Sequence, residues 1–108
     1  MKTVTLQIKK KELELIKSGV KIEDWRSPSV YNKNLLLKFN AQGKREANPE
    51  ITHIQFVNGY GPDVPKLLVK VSKIRPVKFQ DDVERPEMNL YAKKDSCVIV
   101  IYLGAIVK

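Results

Sequence analysis

Residues 4–19 read VTLQIKKKELELIKSG, and the hydrophobic period changes in the middle of that run. Val4, Leu6 and Ile8 alternate with polar neighbours, the period-two pattern of a half-buried strand. From Lys10 to Ser18 good helix formers take over. Leu13, Ile16 and Val20 fall at i, i+3 and i+7, and Gly19 stands where a left-handed cap closes a helix. The stretch predicts a strand, a short helix over 10–18 and a glycine stop, with Leu13 and Ile16 packed against Val4, Leu6 or Val100.

Working outward, residues 21–34 show no clean period and read as a structured loop holding Trp25, Pro28 and Tyr31. Leu35 to Phe39 is β-prone, and NAQGKREANP (40–49) is a polar turn region. His53 to Val57 forms a second alternating strand. Asn58-Gly59 is a strong hairpin signal because both residues tolerate positive φ, and the return strand runs from Leu67 to about Val77. Residues 81–95 are polar, with room for one short helix around 87–93. The final strand, Cys97 to Leu103, is almost wholly apolar and so central, and Ala105 to Val107 add a short edge. Five or six short strands with one or two short helices, in a single domain over residues 1–108, predict an α+β fold: a small mixed or antiparallel β-barrel with a helix over one opening.

The chain has 108 residues, 43% hydrophobic and 30% charged, an ordinary globular composition. Cys97 is the only cysteine and His53 the only histidine, so an internal disulfide and a zinc finger are excluded, and no metal or cofactor is expected. The longest apolar run, 97–107, is about half of the roughly 20 residues a bilayer span needs. With no secretory pattern at the N-terminus, a cytoplasmic location is expected. Lys and Arg number 20 against 12 Asp and Glu, a net charge of +8 that favours polyanions such as nucleic acid and also serves solubility. Residues 1–50 carry 11 basic and 6 acidic groups and residues 51–108 carry 9 and 6, so any binding face must be assembled by the fold.

Two segments concentrate chemistry. Lys21, Asp24, Trp25 and Arg26 follow the helix stop within eight residues of Gly19. The cations suit phosphates or base edges, Asp24 suits orienting them or accepting from an exocyclic amine, and Trp25 offers a stacking face. The same residues also fit a solvated helix end beside a core tryptophan. In Asn58-Gly59-Tyr60-Gly61-Pro62-Asp63, Asn58 and Tyr60 form a hairpin tip that either presents Tyr60 for stacking or folds it back. His53 lacks a catalytic partner, and Cys97 in its apolar strand reads as a small buried hydrophobe. Gly-rich phosphate loops, nucleophile elbows and metal-ligand spacings are missing from the sequence.

The order of these features resembles the ASCH domain, a family of PUA-like β-barrels. The resemblance is carried by the helix ELELIKSG, by Gly19-Val20-Lys21-Ile22-Glu23-Asp24-Trp25-Arg26, by the strand LLVKVSKIRPV and by CVIVIYLGAIV, and it spans nearly the whole chain. It implies a cleft beside the first helix that is associated with RNA or modified nucleosides, and the residue chemistry makes Lys21, Asp24, Trp25, Arg26, Asn58 and Tyr60 the expected contacts with RNA or a nucleotide. Some members hydrolyse acetylated cytidine with a lysine, a threonine three residues later and a glutamate. Lys21 matches that lysine, but Asp24 stands at the threonine position, and a carboxylate does not replace a hydroxyl nucleophile. The resemblance thus favours an RNA-binding module over a nucleoside amidohydrolase or ribonuclease, with a protein-interaction module as a further alternative.

Overall fold

A computed structural model describes residues 1–107. It is a small α+β structure whose elements run β1 (Lys2–Gln7), α1 (Lys10–Lys17), β2 (Glu23–Arg26), α2 (Val30–Leu36), β3 (Leu37–Phe39), β4 (Arg45–Ala47), β5 (Ile51–Val57), β6 (Lys66–Lys78), β7 (Val83–Arg85), a 3-10 turn (Pro86–Met88), β8 (Leu90–Ala92) and β9 (Cys97–Ile106).

Five strands form one sheet in the order β1-β5-β6-β9-β2, with β1 parallel to β5 and the other pairs antiparallel. The period-two faces point inward. Val4, Leu6, Ile54, Phe56, Val69, Ile99 and Ile101 share one buried cluster with Leu13 and Ile16 of α1. The expected helix and its packing face are therefore present. Glu12 in its first turn and Lys17 in its last complement the helix dipole. The register slips between Val69 and Lys73, beside Gly104 of β9. A Cβ on Gly104 would lie 3.3 Å from the Lys70 carbonyl oxygen, so glycine is what lets the two backbones approach at this bulge.

Nine strands form among the described residues rather than five or six, five in the main sheet and the others as the pairs β3-β4 and β7-β8. The sheet is not a closed barrel: β1 and β2 are its two edges and share no ladder. A side chain spans the seam instead, with Arg26 Nη1 donating to the Gln7 carbonyl at 2.9 Å. Residues 21–34 are not loop but contain β2 and the start of α2. Ser29 caps α2, its Oγ accepting from the Asn32 N–H at 3.1 Å. The helix expected at 87–93 is a single 3-10 turn followed by β8. β9 is interior and apolar over Ile99–Ile101 and continues to Ile106, so residues 105–107 are no separate edge strand. Cys97 at its first position is exposed, because only the middle of that strand lies against the core. Val20 lies past the helix end and is also exposed.

Candidate functional site

Where the edges β1 and β2 approach, Gln7, Ile8, Lys9, Glu12, Asp24, Trp25, Arg26 and Asn89 line a cavity of about 530 Å³. The helix stop builds its inner wall. Gly19, at φ +85°, reverses the chain, and the Lys21 N–H bonds back to the Leu15 carbonyl at 3.0 Å. That return drives the Lys21 side chain into the protein, where the residue is 1% exposed. A buried ammonium is unstable without partners. Lys21 Nζ has two: the Glu12 carboxylate at 3.1 Å and the Met88 carbonyl at 3.2 Å.

Glu12 is the hub of this wall. One carboxylate oxygen accepts from Lys21 and the other from the Asn89 amide at 2.6 Å. Since a carboxylate only accepts, the Asn89 nitrogen must face Glu12. Asn89 itself sits in the left-handed region at φ 54°, ψ 44°, immediately after the 3-10 turn whose Met88 carbonyl receives Lys21. The connection joins α1, the post-helix turn and the 86–90 segment into one unit.

Asp24 and Arg26 lie two apart on β2 and form the second half. Arg26 Nε donates to Asp24 Oδ2 at 2.6 Å while its Nη1 reaches Gln7. Burial pushes the Asp24 carboxyl above its ordinary value of 3.8. Arg26, by charge and hydrogen bond, and Lys21, by charge, pull the other way, and Glu12 adds to the rise. Trp25 is half-buried and packs on Phe79, with ring centroids 4.9 Å apart, and its indole N–H donates to Glu23 at 3.1 Å. Arg85 pairs with the other oxygen of Glu23 at 3.1 Å.

The structure thus brings Asp24, Trp25 and Arg26 to one cavity and puts Lys21 behind it. Lys21 is a support for Glu12 and is too buried to meet a phosphate. Asn58 contributes indirectly: its amide donates to the Ile8 carbonyl at 2.9 Å, while the Gly59 N–H donates to the Gln7 side chain at 3.2 Å. Tyr60 is 87% exposed at the hairpin tip, neither folded back nor among the residues lining the cavity. Glu12 and Asn89 are the functional residues that the sequence pattern missed. Glu12 carried a weak signal, lying four residues before buried Ile16 and so at the border of the apolar helix face. Asn89 carried none, because its partner is 77 residues away.

Among the described residues no group of three His, Cys, Asp or Glu side chains is placed to hold a metal ion, and no helix is long and apolar enough to cross a membrane. No family model, curated protein or solved structure matches the chain.

Proposed function

We propose that this chain is a PUA-like module of the ASCH type that binds single-stranded RNA by taking one unstacked base into the cavity between β1 and β2. The observation that carries this reading is the cavity itself. Its volume of about 530 Å³ falls in the range of roughly 300–1,000 Å³ typical of small-ligand sites. Its lining mixes acceptors (Glu12, Asp24), donors (Arg26, Lys9), amides (Gln7, Asn89) and an indole face. Such a set reads base edges, whereas a phosphate site needs unpaired cations. Here the inner cations already face carboxylates. The side-chain bridge from Arg26 to Gln7 across the two sheet edges is also in keeping with an almost closed barrel of the PUA type.

Asn89→Gly tests the reading while keeping the left-handed backbone, which glycine accepts at this position, and removes the side-chain hydrogen bond from Asn89 to Glu12. Titration of a fluorescent single-stranded RNA is expected to show a loss on the order of 1–3 kcal/mol, the worth of one good base contact, with a cooperative melting transition lowered only by the lost hydrogen bond to Glu12. Equal affinity for wild type and variant would remove the cavity from the account.

A hydrolase in the same cavity is the second reading, favoured by the two carboxyl groups Glu12 and Asp24 on its wall, one of them held toward its protonated form. Incubation with acetylcytidine and with a short RNA separates the two. The binding reading expects no product, and turnover abolished by Glu12→Gln would replace it with the enzymatic one.

A further inference from the structure

A second concavity, of about 430 Å³, lies around the chain from the first. Its floor is apolar, formed by Leu37, Pro76, Val98 and Ile99, and two cations, Lys33 of α2 and Arg45 of β4, stand at its margin. On the β3–β4 hairpin Phe39 pairs across the strands with Arg45, whose guanidinium carbon lies 4.5 Å from the ring centroid. A further hydrogen bond from Arg45 Nη2 to Asn34 Oδ1, 3.0 Å, fixes that guanidinium. Arg45 covers one face of the ring, yet Phe39 remains 63% exposed. The cation–π contact with Arg45 holds the ring in place and leaves its other face open to a second planar group.

Charge says what fits there. Between Val30 and Ala47 the basic residues are Lys33, Lys38, Lys44 and Arg45, and the only acid is Glu46. This is the reverse of the first cavity, where each inner cation faces a carboxylate. The two concavities are also neighbours. Arg26 lines the first and Pro28 the second, with the single residue Ser27 between them, a span of at most about 7 Å of chain. Ile99, on the floor of the second, is the ladder partner of Arg26.

We infer that the groove between α2, the β3–β4 hairpin and the ends of β6 and β9 is a second nucleotide subsite. It takes the base adjacent to the one in the first cavity, stacked on the open face of Phe39, which stands beside the groove residue Arg45, with the intervening phosphates facing Lys33 and Arg45. Aromatic stacking beside a cationic track is how single strands are held without base-specific contacts. This inference rests on the RNA-binding reading above for the direction of the strand, but its own contacts are different residues.

The only thiol of the chain reports on the groove, since Cys97 is exposed and lines it. The experiment compares an eight-nucleotide single-stranded RNA with a nucleoside 5′-monophosphate on the full chain. It measures affinity and the rate of Cys97 alkylation by iodoacetamide. The octamer is expected to bind more tightly than the mononucleotide and to slow alkylation at least fivefold, and the mononucleotide to leave the rate unchanged. Phe39→Ala is expected to weaken the octamer about tenfold while moving the mononucleotide less than twofold, and Phe39→Trp to restore octamer binding. Because both substitutions are on an exposed hairpin face, an unchanged melting transition is required of each, and Arg45→Ala serves as the second variant if Phe39→Ala fails it. An octamer that neither protects Cys97 nor responds to either variant overturns the subsite. Octamer binding that depends on Phe39 with no mononucleotide binding at all upholds the subsite and overturns the first cavity instead.

Discussion

The wall of the first cavity and the face made by α2 and the β3–β4 hairpin use positive charge in opposite ways. In the cavity wall Lys21 is withdrawn from water and Arg26 is half-buried, and each is matched to a carboxylate at hydrogen-bond distance. On the hairpin face Lys38 and Lys44 are exposed, and only Arg45 is anchored, to a neutral amide and an aromatic ring. A net charge of +8 therefore says little about where a polyanion would sit. Lys21 and Arg26 of the Gly-x-Lys…Arg segment are tied into the architecture by carboxylates, whereas Lys38 and Lys44 of the hairpin lie exposed to solvent. On the RNA-binding reading we propose, long-range attraction would fall to the hairpin face and local recognition to the cavity.

If that division is correct, removing a cation from each region has different consequences. The largest effect is expected for Lys21→Met, which keeps the bulk of the side chain but leaves Glu12 short of its counter-charge. Breaking one side of such a pair costs about 3 kcal/mol, the low end of the range for buried pairs because Glu12 retains some contact with water. Chemical denaturation measures it. The double variant Lys21→Met/Glu12→Gln should recover much of the loss. A neutral single variant would mean that the pair is no part of the frame.

Arg26→Ala comes next. It deletes the hydrogen bonds to Asp24 and across the seam to Gln7, and charged hydrogen bonds of this kind contribute about 2 kcal/mol. Amide hydrogen exchange at β1 and β2 should rise more than at β5 and β6. Uniform acceleration through the sheet would show that the side-chain bridge does not hold these two edges together.

Asp24→Asn makes a subtler difference, visible in pH dependence. With its folded value raised by burial, the Asp24 carboxyl binds its proton more tightly in the folded state than in the unfolded one. Its contribution to stability is fully present below its unfolded value of about 3.8 and is lost as pH rises through the folded value. Wild type should therefore lose ground to Asp24→Asn as pH rises through the carboxylate range. The opposite slope in paired denaturation curves would mean that the pull of Arg26 outweighs desolvation. Smallest of all is Lys44→Ala on the hairpin face: stability within about 0.5 kcal/mol of wild type, with the salt dependence of RNA affinity reduced by about 0.7 in log–log slope.

The same contrast explains what could be read from the residues. The strand β1, the helix α1 and the long strands β5, β6 and β9 were legible because one face of each is continuously apolar, so periodicity reports it. β2 was not, because its fully buried residue is Asp24 rather than a hydrophobe, and a strand that carries a polar site inward has no apolar alternation to show. α2 escaped for a related reason: its only buried residue is Leu36, at the last position, and its start depends on the Ser29 cap. Of the site, the cluster Asp24-Trp25-Arg26 was visible through local spacing. Lys21 was visible too, but with its role inverted, since no sequence pattern says that the turn after Gly19 drives it inside. Glu12 and Asn89 become partners only through the fold. Tyr60 looked functional because an aromatic between glycines suits a hairpin tip, but its side chain is exposed and is not among the residues lining the cavity.

A base that enters the cavity between β1 and β2 meets Trp25, Arg26 and Asn89 together. Heteronuclear NMR of the full chain titrated with a short single-stranded RNA tests that entry most directly, because the Trp25 indole N–H, the Asn89 side-chain amide and the Arg26 Nε–H all belong to that cavity. These three signals are predicted to shift together and saturate along one isotherm, with the Tyr60 tip unmoved. Shifts spread over the lysine-bearing surface, growing with RNA concentration without saturation while the three cavity signals stay in place, would contradict the account.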